Sequence, residues 1–401
     1  MKNKKNKSIF IFYVYNFLIN ARFSRGVLLL YCLKIGLSLA EFGTVQSVYF
    51  LVKMLAEIPT GILADRFSKK KILGLGALIS SVSSFFLFLA PNFFISPNFY
   101  VILFLFSLDS LGGALNSGTD QAMLFEYLKT KKTEDKFIKI LGNTQIIGLI
   151  VLALSTAVGG KIFSFSFSTV FLLQFIFYLL AAINILFFKR STDVSVKAEK
   201  SSNTIITQIR ISISELQTKR MLAIIIVFLT LFEFYVNSLV TFIPGSLFAI
   251  GFNETAIAVI IGSITLVGVV GSYLSRYLKH ISIQQFLIIF SLLFIATSVL
   301  IATNNKVMVL LGFTVINLLL DAAYPYISDM INKSVNESVR TTILSFSNSL
   351  IGVVSLIFYP LIGWLIDKFD YSLSFLSTGI IIFVIMLALI CSDKVLKQEK
   401  V

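Results

Sequence analysis

Long apolar stretches, separated by short polar ones, run through the whole of this 401-residue chain. A membrane-spanning helix needs about 20 mostly apolar residues. Backbone groups in hydrocarbon must be hydrogen-bonded within the spanning structure, and these stretches are too long for barrel strands. The pattern therefore predicts an all-α membrane protein with twelve transmembrane helices, at 8–31, 41–62, 72–90, 99–122, 137–159, 166–188, 219–242, 254–275, 282–302, 307–328, 341–363 and 371–391.

The longest polar stretch divides these predicted helices into two sets of six. We predict an N-terminal six-helix bundle over 1–188, a central cytoplasmic loop over 189–218 and a C-terminal six-helix bundle over 219–401. Apolar residues within 203–216 fit either a helix lying on the inner membrane surface or a strand, and the pattern leaves both open.

The basic residues predict how the chain lies in the membrane. If the N-terminus is cytoplasmic, 27 of the 34 Lys and Arg residues lie on the inner side or at inner span ends, four lie outside, and Arg22, Arg25 and Lys53 lie deeper within spans. Positive charge concentrates on the cytoplasmic side of membrane proteins. We therefore predict a multi-pass protein of the inner (cytoplasmic) membrane with both termini cytoplasmic. The net charge of +14 is explained by this topology, so no nucleic-acid partner is expected.

A motif follows the second predicted span, in the segment Glu57-Ile-Pro-Thr-Gly-Ile-Leu-Ala-Asp-Arg-Phe-Ser-Lys-Lys-Lys71. It resembles the loop 2–3 signature of the major facilitator superfamily, G-x-L-A-D-R-x-G-R-K. Ser68 stands where the second glycine of that signature is usual. The positions that match are Gly61, Leu63, Ala64, Asp65, Arg66 and Lys70.

The resemblance implies a fold of two six-helix bundles that rock about a site near the membrane midplane. It also implies a monomer without a resident cofactor. Its cytoplasmic gate would comprise Glu57, Gly61, Asp65, Arg66 and Lys70. In the family the acidic residue of the signature latches the cytoplasmic side. We expect Gly61 to allow close helix packing, and Lys69–Lys71 to remain in water or near lipid headgroups.

Two further stretches are similar to those of facilitators from low-GC Gram-positive bacteria. One is the small-residue run from Gly112 to Gly118 that leads into Ala122-Met-Leu-Phe-Glu-Tyr-Leu-Lys129, and the other is the EIPTG opening at Glu57. Many proton-coupled drug exporters of the superfamily carry an arginine four residues before a span-4 glycine. Asp109 occupies that position relative to Gly113, so the resemblance does not establish drug export.

Charged side chains lie deep inside several predicted spans. An ionised group at the bilayer centre costs roughly 2.5–3.5 kcal/mol and usually persists where it faces a cavity or a partner. In the superfamily, helices 1, 4, 7 and 10 line the central cavity, and most of these charges fall on them. The candidate residues for proton coupling or the substrate cavity are Arg22, Arg25, Lys53, Asp109, Asn116, Glu233, Asn237, Asn317 and Asp321.

We hypothesise that one carboxylate among Asp109, Glu233 and Asp321 exchanges a proton during transport. Burial raises a carboxyl pKa and a nearby arginine lowers it, so a balanced group titrates as its surroundings change. Arg22 and Arg25 are three residues apart and would share one face of a helix. A structural alternative is that Arg22 pairs with Asp109 to hold the N-terminal half together.

The sequence therefore predicts a secondary active transporter working by alternating access. The first prediction is proton-coupled efflux of a small amphipathic compound or drug, and the alternative is a proton symporter importing a sugar or peptide. A remote alternative is a non-transporting membrane sensor or assembly partner. No catalytic Ser/His/Asp set, metal-ligand cluster or phosphate-binding loop is recognisable, so we expect no enzyme and no cofactor. The expected partners are the lipid bilayer and a small-molecule substrate.

Overall fold

The computed structural model describes residues 2–93, 99–188, 220–334 and 337–391. The central loop at 189–218, with its helix-or-strand stretch, lies outside them. The described part is helical throughout, apart from short connections. Its α-helices are α1 Lys2–Ile19, α2 Leu28–Lys34, α3 Leu39–Arg66, α4 Lys69–Phe93, α5 Phe99–Asn116, α6 Thr119–Thr130, α7 Phe137–Phe165, α8 Thr169–Leu186, α9 Arg220–Ala249, α10 Glu254–Leu274, α11 Ile283–Ile301, α12 Lys306–Ser334, α13 Glu337–Lys368 and α14 Tyr371–Cys391.

The predicted spans coincide with these helices. Within the described residues, ten helical stretches are long and apolar enough to cross a membrane. The second predicted span corresponds to α3, which has 28 residues. The first corresponds to α1 and α2 together, with Lys7–Ile19 as a shorter apolar helix. Each of the twelve predicted spans is therefore occupied by a helix or by a pair of helices.

Two predicted spans are not continuous. The first was expected as one helix over 8–31, but residues 20–27 form turns between α1 and α2, and we refer to 20–27 as the interrupted segment. The fourth is divided between α5 and α6 by Gly118, which has a φ of +71°. Glycine adopts that left-handed conformation at no steric cost, which explains the second break. Local hydrophobicity does not record either break.

The described chain forms two compact units. The first contains α1–α8 together with Phe252–Thr265, and the second contains α9 and the chain from Leu266 onward. In the first unit, α4 packs against α5 and α8, and α1 packs against α7 and α8. Small polar side chains on α4 permit this close packing, because Ser83 Oγ donates to the Leu105 carbonyl at 2.6 Å and Ser81 Oγ donates to the Phe175 carbonyl at 3.1 Å.

Aromatic side chains form the core of the second unit between α9 and α11. The ring centroids of Phe232 and Phe294 are 5.5 Å apart, and those of Tyr235 and Phe294 are 4.8 Å apart. Phe228 and Phe290 extend the same contact along both helices. These rings avoid the face-to-face sandwich that aromatic pairs disfavour, and the phenylalanines named here serve packing.

The starts of two helices follow from local sequence. Ser38 precedes α3, and its hydroxyl accepts from the Glu41 amide while the Glu41 carboxylate accepts from the Ser38 amide. Ser282 and Gln285 form the same reciprocal pair at the start of α11. Such a capping box satisfies amide donors that the first turn of a helix leaves without partners.

Candidate functional site

The interrupted segment is held open by contacts from other helices of the first unit. Gly159 on α7 lies directly against the Phe23 carbonyl, where a side-chain carbon would overlap it. A side-chain carbon added to Gly148, three turns earlier on α7, would lie 3.2 Å from the side-chain nitrogen Nδ2 of Asn20. Ser24 Oγ donates to Gln174 Oε1 on α8 at 2.9 Å. The break in helix 1 is therefore built from tertiary contacts.

Arg22 lies in this segment, inside a polar and aromatic cluster. Its guanidinium is within hydrogen-bonding reach of the Tyr49 and Tyr178 hydroxyls, which belong to α3 and α8. Asp109 on α5 is close enough to interact with it electrostatically. The Arg22 residue is nevertheless exposed, so an approaching polar molecule can reach it. The structure thus brings together two of the predicted site residues, Arg22 and Asp109.

Asp109 is half-buried in the contact between α5 and α4. Ser80 Oγ donates to the Asp109 backbone carbonyl at 3.3 Å and is also within reach of its carboxylate. Gly112, one turn further along α5, allows this approach because Ser80 occupies the space that a side chain would fill. The close packing of the two helices therefore fixes where the Asp109 carboxylate lies.

Neither arginine of the interrupted segment forms a direct ion pair within the described residues. The ion pairs there are Lys34 with Glu254 at 3.0 Å and Lys69 with Glu126 at 2.7 Å. Arg25 is half-buried and donates to Thr265 Oγ1 at 3.5 Å, and it lies near enough to Arg22 for the two cations to repel. The predicted shared helical face is wrong, because the backbone between them is not helical.

Two other candidates of the first unit have different surroundings. Lys53 is half-buried on α3. Asn116 lies at the last turn of α5, and its Oδ1 accepts a hydrogen bond from the Tyr15 hydroxyl at 2.9 Å. Asn116 also fills the space beside Gly76 on α4. Asn116 therefore joins three helices of the first unit.

The remaining candidates lie in the second unit. Glu233 is half-buried on α9, with the Asn237 side chain one turn away within hydrogen-bonding reach. The Asp321 carboxylate on α12 fits against Gly268 of α10, where an added side-chain carbon would lie 2.5 Å from Oδ2. Asn317 Nδ2 donates to the carbonyl of Phe313, one turn earlier in its own helix, at 2.7 Å. No ion pair to either acid occurs among the residues described.

The loop 2–3 motif differs from expectation in two respects. Among the described residues nothing lies within 4 Å of a side-chain carbon built on Gly61, so the expected close approach does not occur within that part of the chain. Lys69 pairs with Glu126, and Lys70 Nζ donates to the Leu186 carbonyl at 3.2 Å, so these lysines bind other helices of the unit. Arg66 is exposed at the end of α3, as expected. The side chains of Glu57 and Asp65 lie outside the described residues.

An open pocket of about 410 Å³ lies in the second unit, away from these residues. It is bordered by Ser246, near the end of α9, and by Tyr371, at the start of α14. Ser246 is about 20 Å along the helix from Glu233 at 1.5 Å per residue. The pocket therefore contains none of the predicted site residues.

Sequence reasoning missed the residues that surround Arg22. Tyr49, Tyr178, Gln174 and Ser24 are not among the predicted site residues. One signal was present, because the serines at 80, 81, 83 and 84 fall at helical spacing and predict a polar face of α4 turned inward. All four are buried.

Comparison with known proteins shows which family the chain belongs to. A family model described as Major Facilitator Superfamily matches residues 9–353. No curated protein matches the sequence. A solved structure of a mutant of the nucleoside transporter NupG is similar with a TM-score of 0.80 and 15% identity, over 96% of this chain and 98% of that chain.

Two other solved structures show the same fold. One is a bacterial homologue of the human lysosomal transporter Spinster, with a TM-score of 0.71 and 16% identity over 96% of this chain and 95% of that chain. The other is a D-xylose-proton symporter, with a TM-score of 0.69 and 12% identity over 95% and 96%. The predicted twelve-helix fold is thereby confirmed. The chain is a multi-pass membrane transporter without a required cofactor, not an enzyme, and it belongs to the Major Facilitator Superfamily.

Proposed function

We propose that this transporter couples small-molecule movement to protons, with Asp109 as the group that takes up and releases the proton. The observation that carries the proposal is the placement of Asp109, half-buried, beside an exposed Arg22 with which it interacts without a direct ion pair. Both residues belong to the first unit, so their relation is set by the packing of one compact body.

Two opposing effects act on the Asp109 carboxylate. In general, removal from water disfavours an ionised carboxylate and a nearby cation or hydrogen-bond donor favours it. The Arg22 guanidinium and the Ser80 hydroxyl are the groups of this kind beside Asp109. A small change in the distance to Arg22, or in access of water, therefore changes whether the proton is bound. A direct ion pair would hold the charged form more strongly and make proton uptake harder.

The wider arrangement is proposed from the sequence. Alternating access would use the bundles 1–188 and 219–401, joined by the loop 189–218, with the motif of Glu57, Gly61, Asp65, Arg66 and Lys70 as the cytoplasmic gate. The bond from Lys70 to the end of α8 supports a role for that motif in holding the cytoplasmic end of the first unit together. We further propose a monomer of the cytoplasmic membrane with both termini inside, within the Gram-positive EIPTG subgroup.

For the direction of transport, the first candidate is export of a small amphipathic compound by proton antiport. The second candidate is proton symport, for which the accessible Arg22 beside Asp109 provides a specific argument. A ligand that interacts with Arg22 changes the electrostatic support of the Asp109 carboxylate, and so changes its affinity for the proton. The D-xylose-proton symporter, with a TM-score of 0.69, shares the fold that such coupling would use.

The test uses everted membrane vesicles that contain the protein and are energised to an acidic interior. Antibiotics, dyes, sugars and peptides are added in turn, and the internal pH is monitored with a fluorescent probe. For the antiport candidate, substrate-dependent proton release is expected from wild type and is expected to vanish in Asp109→Asn. Asp135→Asn, the same chemical change at an exposed position in the loop before α7, is the matched control and should behave like wild type.

Proton release that survives in Asp109→Asn would refute the assignment of the proton to that residue. Glu233→Gln and Asp321→Asn, tested in the same vesicles, then show whether a carboxylate of the second unit carries it. Export by antiport would release the internal proton, whereas symport would give proton movement only when substrate and proton gradients point the same way. The sign of the response thus separates the two directional candidates.

A further inference from the structure

We propose that the interrupted segment of helix 1 is an oxyanion-binding site, in which Arg22 and Arg25 hold a carboxylate or phosphate group of the transported molecule. The inference rests on the proposed transport function and names the substrate class that the site would take. It concerns the first unit alone, where both arginines and every contact used below are found.

Within the described part of the chain, neither guanidinium group has an acidic side chain in direct contact. Arg25 has the Thr265 hydroxyl at 3.5 Å, and Arg22 has tyrosine hydroxyls within reach. Neither has a carboxylate at ion-pair distance among the described residues. The two cations are also close enough to repel each other. Because a charge inside a membrane protein normally has a partner, this pair is expected to be completed by an anion.

Contacts from other helices of the first unit hold the interrupted segment in its conformation. The Gly159 contact with the Phe23 carbonyl, the Gly148 contact with Asn20 and the Ser24 bond to Gln174 each hold a different residue of the segment. Gln174 Nε2 in turn donates to Ser84 Oγ at 3.4 Å, which extends the support to α4. The broken helix of a transporter is a recurring place for a substrate site, because its backbone groups are free to face a ligand.

The chemistry of the side chains favours an oxyanion. A guanidinium presents a planar fork of N–H donors that matches the two oxygens of a carboxylate or phosphate. Arg22 is exposed and can meet a ligand directly, whereas Arg25 is half-buried and would add its positive charge to the site. Tyr49, half-buried beside Arg22, adds a hydroxyl and an apolar ring suited to an amphipathic anion, whereas the buried Tyr178 supports the Arg22 guanidinium.

Anion binding and proton binding are linked through Arg22. The groups that face Asp109 are Arg22 from the interrupted segment, Tyr49 from α3, Tyr178 from α8 and Ser80 from α4. A bound anion draws the Arg22 charge to itself and repels the ionised carboxylate. Anion binding therefore favours protonated Asp109, and by reciprocity protonation strengthens anion binding. A molecule held at this site would therefore move together with the proton, as in the symport candidate.

The test measures ligand-induced thermal stabilisation of the purified full-length protein in neutral detergent. The probes are inorganic phosphate, acetate and benzoate, with neutral benzamide as the matched control for benzoate at equal ionic strength. At least one anion should stabilise wild type where benzamide does not. The half-maximal concentration should rise about tenfold to a hundredfold in Arg22→Gln and Arg25→Gln. It should remain unchanged in Arg276→Gln, an exposed arginine of the second unit.

The pH dependence gives a readout that a merely structural role would not change. In wild type the anion should bind more tightly as the pH falls, because protonation removes the Asp109 charge. In Asp109→Asn it should bind at the low-pH affinity throughout. Anion binding that requires the arginines but does not change with pH would support the anion site and refute its linkage to the proton. Proton coupling in vesicles without any arginine-dependent anion binding would overturn this inference alone.

Two further outcomes would overturn the substrate assignment. The first is that every anion binds wild type and Arg25→Gln with the same affinity, while Arg25→Lys folds normally and so shows that the position can be replaced. The site is then not an oxyanion site. If stabilisation depends on the arginines only in nanodiscs that contain phosphatidylglycerol, and not in phosphatidylcholine, the anion is a lipid headgroup. Stabilisation by soluble anions in phosphatidylcholine supports the transported molecule as its source.

Discussion

Replacing Gly159 with alanine tests the interruption of helix 1 most directly. The glycine lies on α7 with the Phe23 carbonyl in the position that a methyl group would occupy. The obstacle is backbone and cannot rotate away as a flexible side chain would. Gly159→Ala therefore forces the interrupted segment, and with it Arg22, away from α7. Gly142 lies on the same helix, and no atom of the described residues is within 4 Å of a side-chain carbon added to it, so it provides the matched control.

The magnitude follows from two opposing contributions. Alanine is favoured over glycine in a helix interior by about 1 kcal/mol. Inserting a methyl group into a packed contact typically costs about 1–3 kcal/mol. Gly142→Ala should be stabilised by the first contribution alone. Gly159→Ala should be stabilised by the first and destabilised by the second. We expect Gly159→Ala to be less stable than Gly142→Ala by about 1–3 kcal/mol.

Thermal unfolding of both purified variants in one detergent measures this difference, and transport in vesicles measures its functional consequence. Gly142→Ala should match or exceed wild type in stability and keep its activity. Gly159→Ala should unfold at a lower temperature and lose most transport, because Arg22 no longer faces Tyr49 and Tyr178. Equal stability and equal transport in the two variants would refute the close contact between α7 and the interrupted segment.

Three smaller predictions concern individual contacts. Asn116→Ala leaves the buried Tyr15 hydroxyl without its acceptor and should lower the free energy of unfolding by about 1–3 kcal/mol. Tyr15→Phe removes the hydroxyl itself and should lower it less. Thermal unfolding compares the two variants, and the reverse order would contradict the hydrogen bond. Gln174→Leu should lower both stability and transport, since it removes the acceptor that holds the interrupted segment; unchanged transport would show that this hydrogen bond is dispensable. Lys34→Met should change the free energy of unfolding by less than about 1 kcal/mol, because the ion pair between Lys34 and Glu254 is partly exposed. A larger loss in thermal unfolding would assign that ion pair a structural role.

The membrane spans and their number could be predicted from the sequence because the requirement is local. About 20 apolar residues in succession meet the thickness of a bilayer whatever the rest of the chain does. The charged residues could be found for the same reason, since Asp109 and Arg22 differ from their immediate neighbours. The motif after the second span indicated the family, and the family match over residues 9–353 confirms it.

Local sequence was insufficient wherever the outcome depends on contacts between distant residues. Hydropathy supports a continuous first helix, but Gly159 and Gln174, more than a hundred residues away, hold residues 20–27 in turns. That no described residue lies beside Gly61 likewise depends on where the neighbouring helices lie.

The sequence by itself thus determined the twelve spans, the family and which residues carry charge inside the membrane, because each depends on composition over a short window. Only the tertiary structure decided that Arg22 and Asp109 share one cluster and that helix 1 is broken beside them. The energy of a buried charge or a close backbone contact depends on what surrounds it, and those surroundings are assembled from α3, α4, α5, α7 and α8 together.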